Sequence, residues 1–220
     1  MSEEAVILKT KNLLKEKFGK ESSGHDYWHM YRVWQLAKHI ATREGLTDTF
    51  AIELAALLHD IADWKFHDGD KDAGPRVAGE WLAKQGLDGS LIKRVQHIMS
   101  AVPFRGNTLE KTYDIPIESK ILHDADNLDS IGAIGVGRAF AYVGSKGRPM
   151  HDPDRPVRKF ESFDEYRAGD APPAINHFYE RLLLLKDRMF TNTGKEIAQH
   201  RHQVMEQFLK EFLEEWEGKR

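Results

Sequence analysis

The chain has 220 residues, 40% apolar and 30% charged, with a formal net charge of −3. That length suits one buried core, and the charge balance gives no cationic surplus that would recruit nucleic acid or an anionic membrane. Cysteine is absent, which excludes disulfides, thiolate nucleophiles, iron–sulfur clusters and cysteine-ligated zinc together.

The amino terminus, MSEEAVILKT, lacks the basic and apolar segments of a secretory signal. No apolar run approaches the roughly 20 residues that cross a bilayer, so a cytoplasmic protein is expected. Val6, Leu13, Leu14 and Phe18 mark a first amphipathic helix. Gly24 and His25 open a second, with Val33, Leu36, Ala37 and Ile40 on its apolar face. On it His25, His29 and Arg32, at i, i+4 and i+7, share one face, opposite the centre of the apolar stripe.

AIELAALLHDIADW is apolar on most sides and reads as a buried central helix. Residues 72–85 read as a helix ended by Gly86, and 91–100 as another stopped by Pro103. A loop, PFRGNTLEKTYDIPIES, follows. From Glu118, ESKILHDADNLDSIGAIGVGRAFAYV reads as one long helix or two abutting ones. Residues 144–173 hold most of the prolines and read as a long excursion, a candidate lid. AINHFYERLLLLKDRMF is a strong helix; Thr193 and Gly194 then break the pattern before a closing helix over 195–216. No strand pair, repeat or low-complexity tract interrupts this, so the expectation is an all-α, compact helical bundle forming a single domain over 1–220.

His-Asp occurs five times, beginning at His25, His59, His67, His123 and His151, so the dipeptide alone says little. Only His59-Asp60 ends a nearly all-apolar helix, where an imidazole beside a carboxylate is costly to bury unless something pairs with both. A metal ion does so; a core histidine bonded to its neighbours is the bland alternative. Asp124, Asp126 and Asp129 place three carboxylates within two turns of a helix rich in Ile, Ala and Gly, which favours an offsetting cation or a solvated acidic turn. Gly132, Gly135 and Gly137 have the look of a phosphate loop, but no strand precedes them, and small residues at this spacing more often let helices pack closely. No G-x-S-x-G elbow is present.

The series HMYRV (29–33), LLHDIAD and DADNLDSIGAIG resembles the HD-domain phosphohydrolase superfamily, and with DWKFHDGD and INHFYERL its YpgQ/YedJ-like branch. The resemblance runs from about His25 to the C-terminal helix. It implies an HD-type bundle with one divalent metal held by His29, His59, Asp60 and Asp126. Two neutral imidazoles and two carboxylates neutralise M²⁺ and leave open positions, which suits Mn²⁺ first, with Mg²⁺, Co²⁺, Ni²⁺ or Fe²⁺ as alternatives. His25 or Asp63 are candidates to orient water or act as general base, and Asp129 is a candidate for the same part or to hold a ligand. Arg32, Lys65, His97, Arg138 and Lys186 are candidates to contact phosphates, surface ion pairs being the alternative. His97 with His123 would suit a second metal, but the resembled branch is mononuclear.

The function implied is hydrolysis of nucleotides, foremost pyrophosphate release from nucleoside or deoxynucleoside triphosphates. Alternatives are a nucleoside monophosphate phosphatase, a cyclic-nucleotide phosphodiesterase, or a nucleotide-sensing module that keeps the cage without turnover. The expected partner is a small nucleotide rather than nucleic acid or membrane, and the expected assembly is a monomer or homodimer.

Overall fold

A computed structural model describes residues 1–19, 26–62, 70, 72–101, 115–160 and 170–220. Among these are nine α-helices, one 3₁₀ helix and no strand, the all-helical architecture expected. No helix among them is long and apolar enough to cross a membrane. The helices are α1 Glu3–Phe18, α2 Tyr27–Arg43, α3 Phe50–Leu58, α4 Ala73–Lys84, α5 Gly89–Ser100, α6 Ile117–Asp129, α7 Gly132–Ser145, α8 Ala174–Glu180 and α9 Asn192–Trp216, with the 3₁₀ helix Leu182–Arg188 between the last two.

The core is organised around α3. Every residue of α3 except Glu53 is buried, because α1, α2, α5 and α6 pack around it. Glu53 is tied down from its flank, accepting from Trp34 Nε1 and Thr49 Oγ1 at 2.8 Å each. α2 lies against both α3 and α6, so these three helices define the space where the site forms.

Several boundaries differ from the expected ones. α2 opens at Tyr27, not at His25, because the Asp26 carboxylate caps it by accepting the His29 amide at 2.8 Å; His25 lies outside the described residues. α3 stops at Leu58, leaving His59 as its C-cap. The stretch from Glu118 is two helices, α6 and α7, divided at Gly132, whose φ of +78° suits glycine. A side chain there would also meet the Arg201 side chain. Gly135 packs against the Ser130 backbone, and Gly137 has open space about it, so this trio makes a helix junction and not a phosphate loop.

The run from Ala174 is not one helix. It breaks at Arg181 (φ −141°, ψ −57°) and continues as the 3₁₀ helix. In a 3₁₀ helix residues i and i+3 eclipse, which buries Leu182 and Leu185 together while Leu184 is exposed. Thr193 and Gly194 do not end a helix either. They sit in the first turn of α9, where the Thr191 hydroxyl, as N-cap, accepts the Gly194 amide at 2.9 Å.

α7 takes in Gly144 and Ser145, so the irregular excursion begins after them. Its described part is fastened down. Arg155 donates to the Ala171 and Asp170 carbonyls, and Arg158 to the Asp170 carbonyl and the buried Glu180 carboxylate. The Asn176 amide returns a hydrogen bond to the Arg155 carbonyl at 3.0 Å.

Candidate metal centre

His29 stands in the first turn of α2, held by the Asp26 cap. It faces inward with only 1% of its side chain exposed, not away from the apolar stripe as its spacing suggested. His59 is the C-cap of the buried α3, and Asp126 comes from the last turn of α6. His29, His59 and Asp126 offer ligand atoms that all lie within 4.8 Å of one another. Asp60 joins them: its Oδ2 is 3.5 Å from His29 Nε2 and 3.6 Å from His59 Nε2. Asp126 Oδ1 lies 3.5 Å and 3.9 Å from the same two nitrogens.

The protons on the imidazoles follow from their outer partners. His59 Nδ1 is 2.8 Å from the Ala56 carbonyl oxygen, and His29 Nδ1 is 2.8 Å from Asp129 Oδ2. Both partners only accept, so both Nδ1 atoms carry hydrogen. In its neutral form each ring turns an Nε2 lone pair toward the cage, and these two nitrogens face each other at 3.2 Å. Two opposed lone pairs at that distance need a shared cation.

A divalent ion fits that need. With metal–ligand distances of about 2.1 Å, adjacent ligand atoms sit ~3.0 Å apart in an octahedron and ~3.4 Å apart in a tetrahedron. The separations here, 3.2 to 3.9 Å, start between those values and run a little beyond them. In the metal-free chain a proton does the same work, and the His29 imidazole is pushed up to about 9. Burial opposes the charge, but the bonds to Asp129 and Asp60 and the field of Asp126 outweigh it, against a smaller opposing push from Arg138.

Exposure is graded across the cage. The imidazole side chains are 1% exposed, whereas Asp60 and Asp126 are 20% and 26% exposed, so the open side is the carboxylate side.

The other carboxylates of α6 do not face the cage as a set. Residues two apart on a helix point to nearly opposite sides, and Asp124 turns from Asp126 toward the start of α9. There, fully buried, it accepts from the Phe190 and Thr191 amides and the Thr191 hydroxyl at 2.7–2.9 Å. Asp129 lies behind His29. Its Oδ1 accepts from Arg32 Nε at 2.7 Å; its Oδ2 accepts from His29 Nδ1, from Arg138 Nη1 at 2.8 Å and from Arg32 Nη2 at 3.0 Å. Burial pushes this carboxyl up, but these donors prevail and hold it well below the usual carboxylate range. A carboxylate so saturated and buried is poorly placed to take a proton from water, the first of the two parts expected of Asp129. It also engages Arg32 and Arg138, the expected phosphate contacts, as ion-pair partners.

His97 is exposed on α5 and no member of this cluster. His123 does not pair with it: its Nδ1 is 3.1 Å from Asp124, its Nε2 is 3.0 Å from Asn127, and its ring packs on Phe190. Lys186 sits on the 3₁₀ helix, which packs on α8 and α9. His25, Asp63 and Lys65 lie outside the described residues. Sequence reasoning missed the Ala56 carbonyl as a partner of His59; its position three residues before a C-cap histidine was the available signal.

The HD domain family model matches residues 27–131, the span from α2 through α6 that holds all four candidate ligands. YpgQ of Bacillus subtilis (strain 168), described as uncharacterized, is 36% identical over 198 residues, covering 90% of this chain and 87% of YpgQ. Among solved structures, an HD-superfamily hydrolase from Bacillus thuringiensis matches with a TM-score of 0.74 at 39% identity, over 98% of this chain and 99% of that one. The structure of Bacillus subtilis YpgQ in complex with ADP matches with a TM-score of 0.72 at 34% identity, over 95% and 96% of the two chains.

Proposed function

The chain belongs to the HD domain family, with hydrolases among its structural neighbours, and on that premise we propose that it is a metal-dependent phosphohydrolase of nucleotides, releasing pyrophosphate from a nucleoside or deoxynucleoside triphosphate. The observation that carries this reading is the convergence of His29 Nε2 and His59 Nε2, 3.2 Å apart, with Asp60 and Asp126 beside them. His29, His59, Asp60 and Asp126 would hold a divalent ion, Mn²⁺ foremost, which would supply a water of lowered pKa and polarise a phosphoryl oxygen. The chain's own part is to aim both imidazoles through their Nδ1–H bonds, to balance the charge with two carboxylates, and to leave the carboxylate side open to a phosphate.

Nucleotide as substrate is supported by the ADP bound to YpgQ. His25 or Asp63 orients water, and Lys65 contacts phosphate. His25 lies four residues before His29, and Asp63 and Lys65 follow Asp60 closely in the chain.

The test is a product screen over nucleoside tri-, di-, mono- and cyclic phosphates with Mn²⁺, Mg²⁺, Co²⁺ and Ni²⁺. Pyrophosphate release that His59→Ala and Asp60→Ala abolish supports the proposal. Turnover undiminished in excess chelator refutes it. Orthophosphate from monophosphates, or ring opening of cyclic nucleotides, replaces the substrate named here. Binding of metal and nucleotide with no product marks a sensing module instead.

A further inference from the structure

Behind the candidate ligands lies a second layer of side chains. We propose that Asp129 is a positioning residue for His29 and that Arg32 and Arg138 act through Asp129 on metal affinity, not on substrate phosphate. This rests on the metal reading above and names which residues set the strength of that site.

His29 has two ring nitrogens, and only one can face the cage. Asp129 Oδ2, 2.8 Å from Nδ1, fixes which one by holding the proton on the far side. That bond has geometric value only if the carboxylate is itself immobile. Arg32 grips both of its oxygens from α2, at 2.7 and 3.0 Å, and Arg138 grips Oδ2 from α7, at 2.8 Å. The carboxylate therefore receives four donors from two helices besides its own. With Asp129 1% exposed, no water competes for it.

His59 has no equivalent carboxylate. Its Nδ1 is held by the backbone oxygen of Ala56, three residues back in the last turn of α3. The two imidazoles are thus oriented by different means, one inseparable from the helix and one built from side chains. Substitution can loosen His29 without touching the orientation of His59. Partners in this second layer typically change metal affinity or activity by about 10–100-fold.

The two readings of Arg32 and Arg138 diverge in measurable ways. A phosphate contact alters KM for the nucleotide; a support for Asp129 alters the metal requirement. An amide at 129 can keep its oxygen on the three donors at Oδ2, but its NH₂ then meets the Arg32 Nε–H, so Asp129→Asn is the milder variant and Asp129→Ala the harsher.

The experiment measures Mn²⁺ binding by calorimetry, without nucleotide, for the wild-type chain, Asp129→Asn, Asp129→Ala and Arg138→Gln. Circular dichroism confirms helical content, and His29 ring ¹⁵N shifts, recorded without metal above about pH 9 where the ring is neutral, report the tautomer. Affinity reduced about 10–100-fold, least in Asp129→Asn, with the Nδ1–H tautomer eroded and KM at saturating metal little changed, is the expected result. Unchanged Mn²⁺ affinity, or a raised KM as the only effect of Arg138→Gln, overturns the inference while leaving the proposed function standing. No metal binding by the wild-type chain overturns both. Should Asp129→Ala fail to fold, Asp129→Asn and Arg138→Gln decide the matter.

Discussion

His59 Nε2 and Asp126 Oδ1 approach to 3.9 Å although 67 positions separate 59 from 126 in the chain. α3 brings the imidazole and α6 the carboxylate. Asp126 is thus the ligand candidate that no local stretch of α2 or α3 can replace. Asp126→Ala is expected to weaken Mn²⁺ binding by at least about 100-fold, the upper end of what loss of a supporting partner costs. Equilibrium dialysis with Mn²⁺ checks this, and binding within a few-fold of wild type would show that Asp126 is not a ligand.

Metal uptake should depend on pH in a set direction. In the metal-free chain His29 is protonated below about 9, so an entering ion displaces that proton. Apparent affinity should rise roughly tenfold per pH unit up to about 9 and level off above it. The same shift acts on the metal-free fold: its stabilisation is fully present below 6.5, the ordinary histidine value, and is lost as pH rises from there through about 9. Mn²⁺ titrations across this range test the first statement. Metal-free denaturant unfolding, compared with a His29→Gln control, tests the second.

Gly194 is required by a collision. A Cβ there would run into the Asp124 carboxylate and the Thr191 hydroxyl, the two groups that join α6 to the start of α9. Gly194→Ala should destabilise the fold by about 1–3 kcal/mol, the usual range for overpacking. Asp124→Ala should cost at least as much, since it strands the buried Thr191 amide. Thermal unfolding measures both, and the number of Mn²⁺ ions bound per folded chain should not change.

Glu180 is buried with Arg158 as an ion-pair partner at 3.2 Å. Arg158→Ala leaves the carboxylate without that charge, which costs about 3–5 kcal/mol for a buried pair broken from one side. The loss should be local as well as global, because Arg158 also donates to the Asp170 carbonyl. Limited proteolysis should cut the stretch after α7 faster in the variant than in the wild-type chain, and equal rates would contradict this.

Helices were legible where apolar periodicity was strong, as in α2, α3 and the long α9. His29, His59, Asp60 and Asp126 could be singled out from motif order, and they converge in space. What could not be read was orientation. Asp124, Asp126 and Asp129 look alike as a run of acids, yet one caps the junction with α9, one faces the cage and one lies behind His29. The bond between His29 and Asp129 spans 100 positions, and no local pattern predicts it. The 3₁₀ turn at Leu182–Arg188 was hidden because four leucines in a row satisfy either helical period. The Asp26 cap was likewise masked by His25, whose spacing to His29 and Arg32 suggested an earlier helix start.

Because the cage is assembled from α2, α3 and the distant α6, none of its ligand sets exists in a chain whose core has come apart. Ion occupancy then becomes a thermodynamic readout of tertiary structure. An ion that binds only the folded form adds RT ln(1 + [M]/Kd) to its stability, about 2.7 kcal/mol at a hundredfold excess over Kd. The dependence of the unfolding midpoint on free Mn²⁺ should therefore yield the binding constant without any substrate. Conversely, a mutation anywhere in the α2–α3–α6 core that loosens the fold should register as apparent metal loss, even with all four candidate ligands intact.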